Sequence, residues 1–179
     1  MPTNDGPDWT LWTDGSGHTD AVGVSCAWFM PRALGVTGTV LTATNCGSVN
    51  RAELTALLDG LHGILEMERK KAGKPAGWTP MFPRSVMWYS DRENLVNGVK
   101  RHPINGEPLN SRDVDADLWH RFAYYERVFR ITATHVPRNK LPFQAKCDKA
   151  CSLTRKALKM WLFNLTTKKL ILNNVGRSK

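Results

Sequence analysis

The spacing of apolar residues changes period several times along the chain, and each change marks an element. Positions 9–14 (Trp-Thr-Leu-Trp-Thr-Asp) are β-branched and aromatic and stop at Gly15-Ser16-Gly17, a turn signature, so they predict a strand. Positions 22–30 predict a second strand, and 36–44, rich in Val and Thr, a third. The period then lengthens. Leu54, Leu57, Leu58, Leu61, Ile64 and Leu65 all fall on one face of a helix. Asn50 stands just ahead of that run as its candidate N-cap, which places Glu53 in the first turn. The helix should stop by Gly73, because 73–83 holds two Gly and three Pro.

A fourth strand over 85–90 (Val86, Met87, Trp88, Tyr89) runs directly into a helix start at Asp91, with Ser90 and Glu93 at capping-box spacing. A turn-rich loop over 102–110 follows. Then come a helix over 115–127 carrying Leu118, Trp119 and Phe122, a fifth strand over 128–136, a loop over 137–142, and a last helix from 143 to about 163. The apolar face of that last helix reads as Ala150, Leu153, Ala157, Leu158 and Trp161. Three strands in succession call for antiparallel hairpins, and strands alternating with helices call for parallel crossovers. The expected class is therefore α/β, a mixed sheet covered by helices.

Composition narrows the picture. The chain has 179 residues, 41% hydrophobic and 23% charged, enough for one globular domain. No apolar run is long enough to span a bilayer, so no membrane partner is expected. Positions 1–8 show neither a basic region nor an apolar stretch of the kind that directs export, so a cytoplasmic protein is expected, with Cys26, Cys46, Cys147 and Cys151 as reduced thiols. Cys147 and Cys151 lie one helical turn apart, with no second pair at zinc spacing. The net charge of +9 suits a polyanionic partner. That charge is uneven: no acid follows Asp148, while eight basic residues do. We divide the chain into a domain over 1–165 and a basic C-terminal tail over 166–179, in which 170–172 is apolar enough to form a small closing strand.

The acids carry the candidate chemistry. Asp14 closes the first strand, Glu53 lies at the start of the first helix, Asp91 sits at the junction of the fourth strand with its helix, and Asp148 lies in the first turns of the last helix. Each position has an ordinary explanation, since acids near helix N-termini complement the helix dipole and Glu53 could answer an Asn50 cap. Their conjunction at element ends is different, because a mixed α/β sheet can gather such ends at one edge. Four carboxylates gathered in a basic protein form a cage suited to hard divalent cations, which take oxygen ligands and share phosphate oxygens with a substrate.

At these residues the chain resembles the type 1 ribonucleases H. Trp12-Thr13-Asp14-Gly15-Ser16-Gly17 resembles that family's strand ending in T-D-G-S. The segment from Asn50-Arg51-Ala52-Glu53 to Leu57 resembles its N-x-x-E-L-x-A-L helix start. The stretch from Tyr89-Ser90-Asp91 to Gly98 resembles its third-carboxylate motif, Asp117-Leu118-Trp119 its D-L-W, and Lys146-Cys147-Asp148-Lys149-Ala150 its closing helix. The motifs keep the family's order from about residue 9 to 160.

The resemblance implies a five-stranded mixed sheet, its first three strands antiparallel and its last two parallel to the first, with helices on both faces. It implies that Asp14, Glu53, Asp91 and Asp148 hold two Mg2+, with Mn2+ as a substitute. An activated water would then cut the RNA strand of an RNA–DNA hybrid, leaving 5′-phosphate and 3′-hydroxyl ends. Gly15, Ser16 and Asn50 become candidates for the RNA minor groove, and Ser48 and Arg51 for a phosphate, although Ser48 and Asn50 serve equally as helix caps. The loop over 137–142 lacks the His that the family often carries there, leaving Arg138, Asn139 or Lys140 in its place. Arg92 and Glu93 stand where the family favours small or amide residues. Two other readings use the same features: a DNA nuclease or resolvase on this scaffold, which would need no 2′-hydroxyl recognition, and a nucleic-acid-binding module with weak activity. A monomer is expected.

Overall fold

The computed structural model describes residues 6–17, 22–32, 38–45, 48–101, 115–138 and 140–175. Five strands, β1 (Trp9–Ser16), β2 (Val22–Pro31), β3 (Gly38–Asn45), β4 (Arg84–Ser90) and β5 (Phe129–His135), form one sheet in the order β3-β2-β1-β4-β5. β1–β2 and β2–β3 pair antiparallel, while β1–β4 and β4–β5 pair parallel. The helices are α1 (Val49–Lys71), α2 (Glu93–Arg101), α3 (Ala116–Val128) and α4 (Pro142–Val175).

Side-chain alternation in the strands divides the core in two. Trp9, Leu11, Ala27, Phe29, Val86 and Trp88 point to one face and pack against the apolar stripe of α1 and residues of α2 and α3. Val24 and Cys26, with Trp28, point to the other face and meet Cys147 and Cys151 of α4. The central strand β1 is covered on both faces and buried along nearly its whole length. The expected sheet and its helical cover are both present.

Four local expectations change. Ser48, not Asn50, caps α1: its side chain accepts from the Arg51 backbone N–H at 3.1 Å, and Asn50 is an exposed residue within the helix. Ser90 likewise works two residues away rather than across a capping box, accepting from the Arg92 N–H at 3.1 Å, and α2 starts at Glu93. The face of α4 that meets the sheet is Gln144, Cys147 and Cys151, all fully buried, with Ala150 and Leu158 alongside; Leu153 and Trp161 are 57% and 58% exposed. Helix α4 also continues to Val175, so 170–172 is helical rather than a closing strand. No helix among the described residues is long and apolar enough to cross a membrane. Cys26, Cys147 and Cys151 are free thiols, and Cys46 lies outside the described residues.

Candidate metal centre

The sheet register brings the first two acids level. Trp12 is paired with Tyr89 in the parallel β1–β4 ladder, and two more residues along each chain are Asp14 and Asp91. Both therefore stand at the carboxyl ends of neighbouring parallel strands, where the β1–β2 hairpin turns one way and the β4–β5 crossover the other. That is the crevice in which open α/β sheets place their sites.

Gly15 delivers the third acid. A Cβ at Gly15 would lie 2.3 Å from the Glu53 nitrogen and 2.5 Å from the Ala52 carbonyl carbon, so only glycine lets the end of β1 abut the start of α1. The Gly15 N–H in turn donates to the Glu53 carboxylate. Glu53 follows the first turn of α1. The result is a group in which one carboxylate oxygen from each of Asp14, Glu53 and Asp91 lies within 4.8 Å of the others.

This group is buried and crowded. Asp14 is 4% exposed and Glu53 1%. Burial first, then the charges of Asp148 and Asp91, push the Asp14 carboxyl up to about 7. Burial and the charges of Asp14 and Asp91 push Glu53 well above the usual carboxylate range. Little inside the protein relieves this. Among the described residues, Glu53 Oε2 and Asp91 Oδ1 are buried without a hydrogen-bond partner, and the Arg92 Nε reaches Glu53 Oε1 only at 3.6 Å. Acceptor oxygens left unpaired in a buried site, three carboxylates deep, fit a hard divalent cation, which prefers all-oxygen ligands.

Asp148 stands near this group but outside it. Its charge raises Asp14, yet its own carboxylate is taken by Arg138, whose Nη2 donates to Asp148 Oδ1. The backbone beneath Asp148 is fixed. Gln144 donates to the Thr13 carbonyl at 2.8 Å, Cys147 to the Trp12 carbonyl at 3.7 Å and Cys151 to the Asp14 carbonyl at 3.3 Å. Thr13 in turn accepts from the Trp88 indole at 2.8 Å, tying β1 to β4 directly behind the acids.

The remaining candidates divide. Gly15 and Ser16 end β1 beside the carboxylates. Ser48 is engaged as the cap of α1, and Asn50 is exposed one residue before Arg51. Arg51 is held by Asp115 at 3.0 Å and by both oxygens of Asp117, at 2.8 and 2.5 Å, a fork that draws the Asp117 carboxyl below its usual range. Arg138 faces the site, and Asn139 lies outside the described residues. Sequence reading missed the supports: Gln144, Cys151, Thr13 and the Asp115–Asp117 pair. Only the last had a visible trace, an acid-rich run in an otherwise basic protein.

No protein-family model and no curated protein matches the chain. Solved structures do. LC11-RNase H1 in complex with an RNA/DNA hybrid, an enzyme isolated from compost, aligns at a TM-score of 0.59 and 15% identity, over 84% of this chain and 99% of that one. RNase H1 from the halophilic archaeon Halobacterium salinarum NRC-1 aligns at 0.54 and 15%, over 80% and 94%. The foamy viral protease-reverse transcriptase in complex with dsDNA aligns at 0.56 and 16%, over 85% and 96%. At such identities the likeness is one of fold, and the chain has the type 1 ribonuclease H-like fold.

Proposed function

We propose that the chain is an endoribonuclease of the ribonuclease H type, hydrolysing the RNA strand of RNA–DNA hybrids and leaving 5′-phosphate and 3′-hydroxyl ends. The observation that carries this reading is the buried Asp14–Glu53–Asp91 group, with unpartnered oxygens at the carboxyl edge of this sheet. These three carboxylates would hold one Mg2+ and share a second with Asp148, Mn2+ substituting for either. When bound, such ions activate a water and stabilise the leaving oxygen of a phosphodiester.

The chain's own residues do the rest. Asp14 and Asp91, fixed by the strand ladder, and Glu53, fixed by the Gly15 contact, set the ligand positions before any substrate arrives. In this reading Gly15 and Ser16, at the end of β1, and Asn50, at the start of α1, would meet the 2′-hydroxyls that distinguish RNA from DNA. The net charge of +9 draws the phosphate backbone. The working unit in this reading is residues 1–165, with 166–179 as a basic appendage.

The test is cleavage of a labelled hybrid and a labelled DNA duplex of the same sequence, with and without Mg2+. Cleavage should be confined to the RNA strand of the hybrid and require the metal. Asp91→Asn should lower it at least about a hundredfold while the fold melts normally, because an amide keeps the shape but loses the charge that holds the cation. Equal cutting of duplex DNA would move the assignment to a DNA nuclease, and full activity in Asp91→Asn would remove the mechanism.

A further inference from the structure

Two-cation chemistry at this site needs Asp148 free, and in this structure it is occupied. Arg138 lies in the segment between β5 and α4, and its guanidinium donates to Asp148 Oδ1. The Arg138 side chain is 66% exposed and that of Asp148 24%, so the pair spans the mouth of the site rather than its floor. The positive charge of Arg138 is also felt by Asp14 and Asp91.

The hydrogen bonds of α4 limit what can move. Gln144, Cys147 and Cys151 bond α4 to the carbonyls of β1 on both sides of Asp148, so the helix cannot carry it inward. What remains is the Asp148 side chain, which must exchange Arg138 for another cation. An ion pair this open to water is weak and exchanges readily, which suits a reversible contact. Arg92 offers a comparison: at 3.6 Å from Glu53 Oε1, it leaves the other Glu53 oxygen unpartnered and does not close the group.

We propose that Arg138 is a built-in competitor for the second divalent cation, holding Asp148 out of the carboxylate group until that cation displaces it. The inference rests on the reading of this site as a two-cation centre. The first cation, taken by Asp14, Glu53 and Asp91, binds without disturbing Arg138. The second must break the Arg138–Asp148 pair, and this sets the higher metal concentration at which it fills.

The experiment is a Mn2+ titration of the full chain without nucleic acid, read by the electron paramagnetic resonance signal of free Mn2+. The wild type should bind two ions, the second more weakly. Arg138→Gln should tighten the second site about five- to tenfold, the low end of ordinary coupling between sites, and leave the first unchanged. Arg138→Lys should fall between. Asp148→Asn should remove the second site whichever residue stands at 138. Arg138 is largely exposed, so melting curves should confirm an intact fold. A second site unchanged or weakened in Arg138→Gln, or one that survives in Asp148→Asn, overturns the competitor role while leaving a two-cation centre standing. A wild type that binds no Mn2+ overturns that centre and the competitor with it.

Discussion

At the scale of single residues, the acids of this site oppose one another until something positive joins them. Asp14 has its carboxyl raised from an ordinary 3.8 to about 7, by burial first and then by Asp148 and Asp91. A carboxyl raised in the folded state binds its proton more tightly there than in the unfolded chain. Its contribution to stability is therefore complete below the ordinary carboxyl value and is lost as pH rises towards 7. The metal-free protein should thus be penalised at neutral pH, with roughly 4 kcal/mol as the upper limit from Asp14 alone. Asp14→Asn removes the titrating group. In EDTA at pH 7.5 it should melt above the wild type, and the difference should shrink towards pH 4. Added Mg2+ should then raise the wild-type melting temperature and leave the variant's in place. A variant less stable than the wild type in EDTA at pH 7.5 would mean that Asp14 is held by contacts worth more than its repulsion.

At the scale of elements, the site depends on where α1 begins. Ser48 fixes that point by accepting the Arg51 N–H, and Gly15 fixes the distance from β1 to Glu53. Ser48→Ala should cost about 1 kcal/mol of global stability, the usual worth of a cap, by denaturant melting, and Asn50→Ala much less. The reverse order would restore Asn50 as the cap. This pair also shows where sequence reading stops. A cap is assigned by distance from the first apolar residue, and Ser48 and Asn50 both satisfy that; only the backbone geometry chooses. The stripe of α1 was legible because six aliphatic residues repeat at helical spacing, and β1 because its β-branched and aromatic residues run into a Gly-Ser-Gly turn. The face of α4 was not, because it is built from Gln144, Cys147 and Cys151, small or polar groups that enter the core by donating to β1 carbonyls. The obvious apolar residues Leu153 and Trp161 stand outside. The acids at the ends of β1 and β4 were legible as a set, since parallel strands and their ends follow from element order. The Arg138–Asp148 pair was not, because nothing in spacing says which way a loop arginine turns.

At the scale of the whole molecule, charge and shape part company at the C-terminus. Eight basic residues and no acid follow Asp148, and the backbone of α4 runs on as helix to Val175, whereas the thiols that bind α4 to the sheet end at Cys151. Among the described residues, the carboxylates and the side chains that support them lie within 13–151. Removing 166–179 takes away Lys168, Lys169, Arg177 and Lys179 and leaves those carboxylates and supporting side chains in the chain. Phosphate contacts made by such lysines carry no base information; they add affinity for any duplex and steepen its dependence on salt. The truncated chain should bind a hybrid more weakly at low salt, with a salt slope shallower by up to about 0.9 for each phosphate that is no longer neutralised. Its single-turnover rate at saturating enzyme should stay close to that of the full chain, because the ligands and their hydrogen bonds are intact. An unchanged slope would place those lysines in solvent, away from the nucleic acid. Loss of the chemical step with binding preserved would mean instead that the far end of α4 holds Asp148 and Arg138 in place, and that the basic tail belongs to the catalytic unit.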